Sequence, residues 1–298
     1  MRSERHEVTE VVVLLRETRD PRPPVRLLAS GAALRSTGLR RVVNPADLAA
    51  LELAVGLPDA VVTAVAVGGE GLDDALRLAL SMGAARAIRI WDEALRDGDA
   101  VAEARVLRRA LEILRPVLFL TGSRLLDRGD DPSAALAAAG LGMACAGRVL
   151  SLALESDRAL VVRRAEKGWR QEAELRLPCA VLVEADAAEP RYPDLTAVLG
   201  ALESPVATWG LAELGLPAWE LGFDGAALRP AGLAAPRSDP LRVATPDPAL
   251  PAHERVRALF SGGIRPRQGR MHFGGADEAA ERLLAIFAEE GLVPGGGP

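Results

Sequence analysis

Short apolar runs alternate with helical patterns along the first half of the chain, and this alternation is the feature that most constrains its fold. The runs are typical of buried strands, and they are Val8 to Leu15, Ala60 to Val67, Arg86 to Trp91 and Val117 to Thr121. Helical patterns follow them at Asn44 to Val55, Leu72 to Met82, Asp99 to Leu114 and Pro132 to Ala139. Strands joined by helices through short connections form right-handed crossovers and a parallel sheet that is covered on both faces. We therefore predict an α/β fold with a doubly wound, mostly parallel sheet.

The second half of the chain predicts two additions to this sheet. The segments Leu150 to Leu154 and Ala159 to Arg163 have the pattern of hairpin arms, and Gln171 to Leu177 returns after a turn, which indicates an antiparallel hairpin. Prolines and glycines crowd the region from Gly215 to Pro251, which is typical of an extended arm. We predict an α/β domain over residues 1–204 and a C-terminal arm with helices over residues 205–298.

Composition excludes several classes of protein. Hydrophobic residues make up 49% of the chain and aromatic residues only 3%, so the core is expected to be aliphatic, as in layered α/β proteins. The net charge of −5 argues against a nucleic-acid partner, since nucleic-acid-binding domains carry a basic face. The two cysteines, Cys145 and Cys179, lie in apolar contexts and are predicted to be free thiols.

Neither a metal site nor a membrane anchor is predicted. The three histidines, His6, His253 and His272, lack the spacing of metal ligands. No segment reaches the ~18 consecutive apolar residues of a membrane span. The N-terminal residues lack the apolar stretch of a signal peptide. A cytoplasmic protein without membrane insertion is the expectation.

Three loops are candidates for a nucleotide site, because open parallel sheets bind ligands beyond the carboxyl ends of their strands. The first loop begins at Leu15 and Arg16, and the second is Val67-Gly68-Gly69, whose glycines would let a ligand approach the backbone. The third runs from Thr121-Gly122 to Ser133 and leads into a helix N-terminus that could hold a phosphate. The alternative is that all three are ordinary connections between strands and helices.

Four segments, in this order, resemble motifs of electron transfer flavoprotein beta subunits. They are Val43-Asn44-Pro45-Ala46-Asp47, the helix Ala75 to Ala84, Leu120-Thr121-Gly122 together with Asp127, and Glu189-Pro190-Arg191-Tyr192 together with Leu195. Each motif is weak alone, but the four keep the family's order and rough spacing from about Val8 to Leu202. The chain is therefore identified as a divergent member of this family with a long C-terminal extension.

The resemblance implies a nucleotide-binding fold of the adenine nucleotide alpha hydrolase-like type. It also implies pairing with a larger alpha subunit that carries the redox FAD, while the beta subunit holds an AMP or, in electron-bifurcating members, a second FAD. The implied subunit is an electron carrier without a catalytic acid, base or nucleophile of its own. The nucleotide-binding residues that we predict are Leu15, Arg16, Asn44, Asp47, Val67, Gly68, Gly69, Thr121, Gly122, Asp127 and Ser133.

The resemblance also implies a segment that docks flavin-dependent dehydrogenases, formed by Glu189, Pro190, Arg191, Tyr192 and Leu195. An exposed Leu195 would serve as an apolar anchor in a pocket of the partner. The alternative is that Leu195 starts the following helix and packs inward. Family members often continue with lysines, whereas residues 196–203 carry no positive charge here, so partner choice is expected to differ.

The loop before Ser133 departs from the family pattern. Pro132 removes an N–H group that could bind phosphate, and the carboxylates of Asp130 and Asp131 would repel it. Arg124 and Arg128 could offset this repulsion. We expect AMP binding to be weakened or lost, and we do not expect electron bifurcation.

The predicted function is the beta subunit of an electron transfer flavoprotein, which passes electrons from flavin dehydrogenases toward the respiratory chain. A nucleotide-binding sensor or structural protein of the same fold, acting as a homodimer without flavin, is the alternative. A third reading is an adenylating enzyme of that fold.

Overall fold

A computed structural model describes residues 9–23, 40–229, 231, 246–260 and 274–289. Within these ranges a nine-stranded sheet organises the molecule, and two short strand pairs lie outside it. The strands are β1 Thr9–Leu14, β2 Glu17–Arg19, β3 Arg41–Val43, β4 Ala60–Val67, β5 Arg86–Ile90, β6 Leu118–Gly122, β7 Arg124–Leu125, β8 Gly129–Asp130, β9 Ala144–Leu154, β10 Arg158–Arg164, β11 Arg170–Arg176, β12 Cys179–Val183 and β13 Ala207–Trp209.

The order of strands in the sheet is β11-β10-β9-β12-β6-β1-β4-β5-β13. Every pair from β9 to β13 in this order is parallel, whereas β10 is antiparallel to both β9 and β11. The central strand β1 has β4 on one side and β6 on the other, so the direction of winding reverses beside it. The doubly wound, mostly parallel sheet and its antiparallel hairpin are thereby confirmed.

Helices cover both faces of the sheet, as right-handed crossovers require. The helices before residue 230 are α1 Pro45–Val55, α2 Asp73–Ser81, α3 Ala100–Leu114, α4 Ser133–Gly140, α5 Leu195–Glu203, α6 Leu211–Leu214 and α7 Gly222–Gly225. Later in the described residues are α8 Ala252–Phe260 and α9 Ala276–Glu289. Strand β3 follows residues 24–39, which lie outside the described ranges, and it pairs antiparallel with β2.

The side chains of β1 show how the sheet separates two cores. Val11 and Val13 pack on the face that α1 and α2 cover, with Leu51 and Leu76. Val12 and Leu14 point to the opposite face, where α3 and α4 pack, because successive side chains of a strand alternate. Burying a large aliphatic side chain contributes roughly 1.5–3 kcal/mol, so a β-branched run buried on both faces fixes the central strand.

The compact unit that contains the sheet runs from Met1 to Ala235, and a second unit comprises Pro236–Pro298. The first unit extends beyond residue 204, the predicted boundary, because β13 pairs with β5 and adds a parallel strand at the sheet edge. Leu214 and Leu221 also lie in its core. Of the predicted arm, residues 230, 232–245, 261–273 and 290–298 lie outside the described residues.

Within the described ranges, no helix combines the length and the apolar composition that crossing a bilayer requires.

Candidate functional site

The carboxyl ends of β1 and β6 adjoin at the position where the winding of the sheet reverses. In doubly wound folds this position opens the crevice in which ligands bind. The end of β1 brings Arg16 to the crevice, and the end of β6 brings Thr121 and Gly122. Helix α1 begins beside them and contributes Asp47 from its first turn.

Asp47 is fully buried and gathers these groups around its carboxylate. Oδ2 accepts hydrogen bonds from the backbone N–H of Arg16 at 2.9 Å and from its Nε at 3.1 Å. Oδ1 accepts from Arg16 Nη2 at 2.6 Å, from Gly122 N at 2.6 Å and from Thr121 Oγ1 at 3.2 Å. A buried carboxylate is tolerated only when it is paired and hydrogen-bonded, and Asp47 meets both conditions.

Gly122 has a packing reason to be glycine. A Cβ atom at this position would lie 2.5 Å from Ala46 Cβ and 2.6 Å from Asp47 Oδ1. Helix α1 can therefore approach the end of β6 only because no side chain intervenes. The glycine serves contact between two elements of the chain rather than contact with a ligand.

Arg16 connects Asp47 to the loop that follows β6. Its Nη1 donates to Asp131 Oδ2 at 3.1 Å, and Nη2 also donates to the carbonyl oxygen of Gly122 at 2.8 Å. Burial lowers the pKa of Arg16, but the carboxylates of Asp47 and Asp131 outweigh it and hold the pKa above its ordinary value. The guanidinium is therefore charged at every pH at which the protein folds.

A cleft of about 320 Å³ opens beside this ion cluster. Its lining combines predicted residues with charged side chains of neighbouring loops, namely Arg16, Glu17, Arg41, Val67, Gly68, Gly69, Gly71, Leu72, Glu103 and Arg128. Gly68 has φ +151°, a conformation that side chains rarely adopt, and its Cβ would lie 2.5 Å from Leu72 Cδ1. Val67, Gly68 and Gly69 thus line a cleft, and their binding of a nucleotide stays a prediction.

Glu103 is a cleft residue that the sequence patterns did not single out. It lies in the first turn of α3 and also lines a smaller cavity of about 110 Å³ with Trp91 and Gly222. Burial and then the carboxylate of Asp131 raise the pKa of Glu103 to about 7. An acidic residue in the first turn of the helix that precedes β6 is the one signal that could have indicated it.

Four of the eleven predicted nucleotide-binding residues line the cleft, and seven do not. Asp47, Thr121 and Gly122 belong to the ion cluster beside it. Leu15 is fully buried in the core. Asn44 precedes α1 but does not cap it with its side chain; it donates to the carbonyl oxygen of Arg124 at 2.9 Å. Asp127 accepts from the backbone N–H of Arg19 at 3.1 Å, and so joins two loops.

Ser133 begins α4 and is fully buried. Its backbone N–H donates to Asp131 Oδ1 at 2.9 Å. Its Oγ is buried and makes no hydrogen bond within the described residues. The helix N-terminus that the loop predicts as a phosphate site therefore carries a carboxylate of the chain itself.

The docking segment, residues 189–195, is held to helix α1 by Arg191. Its Nη2 donates to Glu52 Oε1 at 2.9 Å, and its Nε and backbone N–H each donate to Oε2 at 2.9 Å. Hydrogen bonding from Arg191 lowers the pKa of Glu52. Arg191 thus binds helix α1 of its own domain, and it fixes the orientation of the docking segment. Glu189 is exposed and Pro190 half-buried.

An exposed apolar face continues from this segment along α5. Tyr192 is 100% exposed and Leu195 is 73% exposed, so Leu195 does not pack inward. Exposed large side chains continue on the same helix at Val198, Leu199 and Leu202. We call Tyr192, Leu195, Val198, Leu199 and Leu202 the docking face.

Helix α5 is fixed at both ends, which makes the docking face a defined surface. The side chain of Asp194 accepts from Ala197 N at 2.7 Å, as an N-cap residue does. At the other end, Arg77 Nη1 donates to the carbonyl oxygens of Ala201 and Leu202 at 2.9 and 2.8 Å. A capped helix presents its side chains with little loss of conformational entropy on binding.

A larger groove, of about 660 Å³, lies between α5 and the sheet edge at β5 and β13. Arg86 and Ala207, the first residues of these strands, line it, so it lies at the amino ends of the strands. Open α/β sheets bind ligands at the opposite edge. Among the residues that the structure describes, no group of three or more metal-ligating side chains is gathered.

The fold and crevice define a doubly wound α/β protein of the nucleotide-binding kind, with an exposed docking face on its fifth helix. Comparison with protein families matches residues 33–214 to the Electron transfer flavoprotein domain, which is more than half of the chain. The chain belongs to the electron transfer flavoprotein beta family.

Named relatives agree with this assignment. The electron transfer flavoprotein subunit beta of Methylophilus methylotrophus is 30% identical over 166 residues, which span 55% of this chain and 63% of the relative. The subunit of the same name from Mycobacterium tuberculosis H37Rv is 26% identical over 266 residues, or 86% of this chain and 95% of the relative. The caffeyl-CoA reductase-Etf complex subunit CarD of Acetobacterium woodii is 28% identical over 192 residues, or 63% and 72%.

Proposed function

We propose that this chain is the beta subunit of a heterodimeric electron transfer flavoprotein that carries electrons from flavin-dependent dehydrogenases toward the respiratory chain. The observation that supports it most strongly is the docking face, where the predicted anchor Leu195 is 73% exposed on a helix capped at both ends. An exposed apolar residue on a rigid element is the kind of anchor that fills a partner's pocket.

The proposed partners are an alpha subunit of the same family and the dehydrogenases that reduce its flavin. The flavin, which we propose to be FAD held mainly by the alpha subunit, supplies the electron-carrying chemistry when bound. This chain contributes position: Arg191 and Glu52 hold the docking segment, and Leu195 enters the dehydrogenase so that the two flavins approach. We propose no catalytic residue in this chain.

A further proposal concerns the C-terminal unit of the chain. We propose that the unit Pro236–Pro298 packs on the alpha subunit, since electron transfer flavoproteins work as paired subunits and this unit lies beyond the sheet domain. A location in the cytoplasm stays a prediction. AMP is not part of the proposed function, because the donors of the third loop already bind Asp131.

Co-expression with the electron transfer flavoprotein alpha subunit of the same genome tests this proposal. A yellow complex of one alpha and one beta chain, eluting together on size exclusion with bound flavin, is the expected result. A colourless homodimer that ignores the alpha chain would contradict it and would favour the sensor. Turnover of ATP by the isolated chain would instead favour the adenylating enzyme.

A further inference from the structure

At the N-terminus of α4, where a phosphate could bind, a side chain of the protein itself accepts the hydrogen bond. A helix N-terminus offers unpaired N–H groups, and these groups bind phosphate in many nucleotide sites. Here the N–H of Ser133, the first residue of α4, donates to Asp131 Oδ1 at 2.9 Å. The preceding residue, Pro132, has no N–H to offer. The carboxylate of Asp131 therefore occupies the place that a phosphate oxygen would take.

The second oxygen of the same carboxylate binds the cation of the crevice. Arg16 Nη1 donates to Asp131 Oδ2 at 3.1 Å, and both side chains are less than 10% exposed. The other two guanidinium nitrogens of Arg16 donate to Asp47 and Gly122. All three nitrogens of the buried guanidinium are thus engaged by groups of the chain itself.

The remaining arginines of the cleft are paired as well. Arg41 Nε lies 2.9 Å from Glu17 Oε2, and Arg128 Nε lies 3.7 Å from Asp127 Oδ1. Glu103 adds a further carboxyl group to the cleft wall. Glu103 lines the cleft, and Asp131 binds the guanidinium of Arg16 beside it, so both carboxyl groups oppose the binding of a phosphate there, because like charges in one site repel.

We infer that Asp131 takes the place of a nucleotide phosphate, so that the bonds of its carboxylate hold the loops around the crevice together without AMP. The inference goes beyond the proposed function, since it concerns the cleft and not the docking face. It also predicts a gain of function: without the carboxylate, Arg16 Nη1 and Ser133 N would be free to bind an anion. The buried Oγ of Ser133, which makes no hydrogen bond within the described residues, would be a third donor.

The first test is the nucleotide content of the purified wild-type complex, measured by chromatography after denaturation. We expect no adenine nucleotide above background. One AMP per chain would overturn the inference. Flavin is measured in the same sample, so a complex without flavin would count against the proposed function and leave the result for AMP intact.

The second test is calorimetric titration of AMP and of inorganic phosphate into the wild type and into Asp131→Ala. We expect at least about tenfold tighter binding by the variant, about 1.4 kcal/mol. Asp130→Ala is the matched control, since it removes a carboxylate of the same loop that pairs with Arg124, which does not line the cleft, and not with Arg16. A folded Asp131→Ala protein that binds no tighter than the wild type would overturn the inference.

Asp131→Asn provides the same test if the alanine variant does not fold. Asparagine keeps the shape and can still accept from Ser133 N, but it removes the negative charge. A smaller gain in the same direction is expected, and equal affinity of wild type and Asp131→Asn for phosphate would count against the role of charge that the inference requires.

Discussion

The crevice and the docking face differ in which side chains they bury and which they expose. At the crevice, charged groups turn inward and bind one another, and Asp47 is 0% exposed while accepting five hydrogen bonds. At the docking face, apolar side chains point to solvent, and Leu195 is 73% exposed. The charged groups of the first region have partners within the chain, whereas the apolar groups of the second are exposed to solvent.

This difference indicates where the activity of the chain resides. Large apolar side chains clustered on one helix usually mark an interaction site. Paired charges at a switch point, by contrast, stabilise the arrangement of loops around a crevice. We therefore attribute the function to contact at the docking face, and we attribute structural support to the crevice. The following substitutions separate the two regions.

Asp47→Ala should have the largest effect. It leaves Arg16 charged in a buried site, without two of the four hydrogen bonds of its guanidinium, and it leaves Gly122 N without an acceptor. Breaking a buried ion pair costs about 3–5 kcal/mol. Urea unfolding measures the loss. Asp127→Ala, an exposed contact of the neighbouring loop, is expected to cost less than about 1 kcal/mol, and equal losses for the two variants would contradict a central role of Asp47.

Glu103→Gln should stabilise the protein above pH 7. The folded-state pKa of about 7 lies above the ordinary 4.5, so the folded protein binds the proton more tightly and stability falls as pH rises from 4.5 to 7. The variant lacks this loss, and we expect it to gain about 3 kcal/mol at pH 8 and almost nothing at pH 4.

Unfolding measured across pH checks this expectation. Glu112→Gln, on the same helix in a partly exposed pair with Arg109, is the control and should leave the pH profile unchanged. A Glu103→Gln profile parallel to that of the wild type would refute the raised pKa.

Leu195→Ala should slow electron transfer about tenfold, the loss expected for one anchor worth ~1.4 kcal/mol. Flavin content and stability should not change, because the side chain packs on nothing in its own domain. The measurement is the rate of flavin reduction by the donor dehydrogenase. Leu136→Ala, an exposed leucine of α4 that is 43% exposed, is the matched control. Unchanged kinetics for Leu195→Ala would remove it as the anchor.

Glu52→Gln should have the smallest effect, because the pair with Arg191 is partly exposed. We expect a loss of about 0.5–1 kcal/mol at pH 7. Since the folded-state pKa of Glu52 lies below its ordinary 4.5, this contribution is present above pH 4.5 and disappears as pH falls through the lower pKa. A difference in the free energy of unfolding between wild type and variant that persists at pH 2 would contradict the ion pair.

Local patterns predict most of this fold because β-branched runs and capped helices specify their own structure. They fail where pairing is long-range. Strand β13 is only three residues long, and its pairing with β5 depends on a crossover that no local signal encodes. The compact unit that contains β13 continues to Ala235.

The site follows the same rule. Arg16, Asp47, Thr121 and Gly122 could be predicted because they end strands or begin a helix beside the switch point. The bond from Arg16 to Asp131 joins residues 115 positions apart, and the bond from Arg191 to Glu52 spans 139. Sequence spacing cannot show such contacts, and so it could not show that Asp131 turns inward or that Glu103 lines the cleft.

The most direct test of the account is anaerobic mixing of a reduced flavin dehydrogenase of the same genome with this chain, alone and in complex with its alpha subunit. The account predicts that the flavin of the complex is reduced and that the isolated chain accepts no electrons. Redox turnover by the isolated chain, or a flavin-loaded complex that no such dehydrogenase reduces, would contradict it.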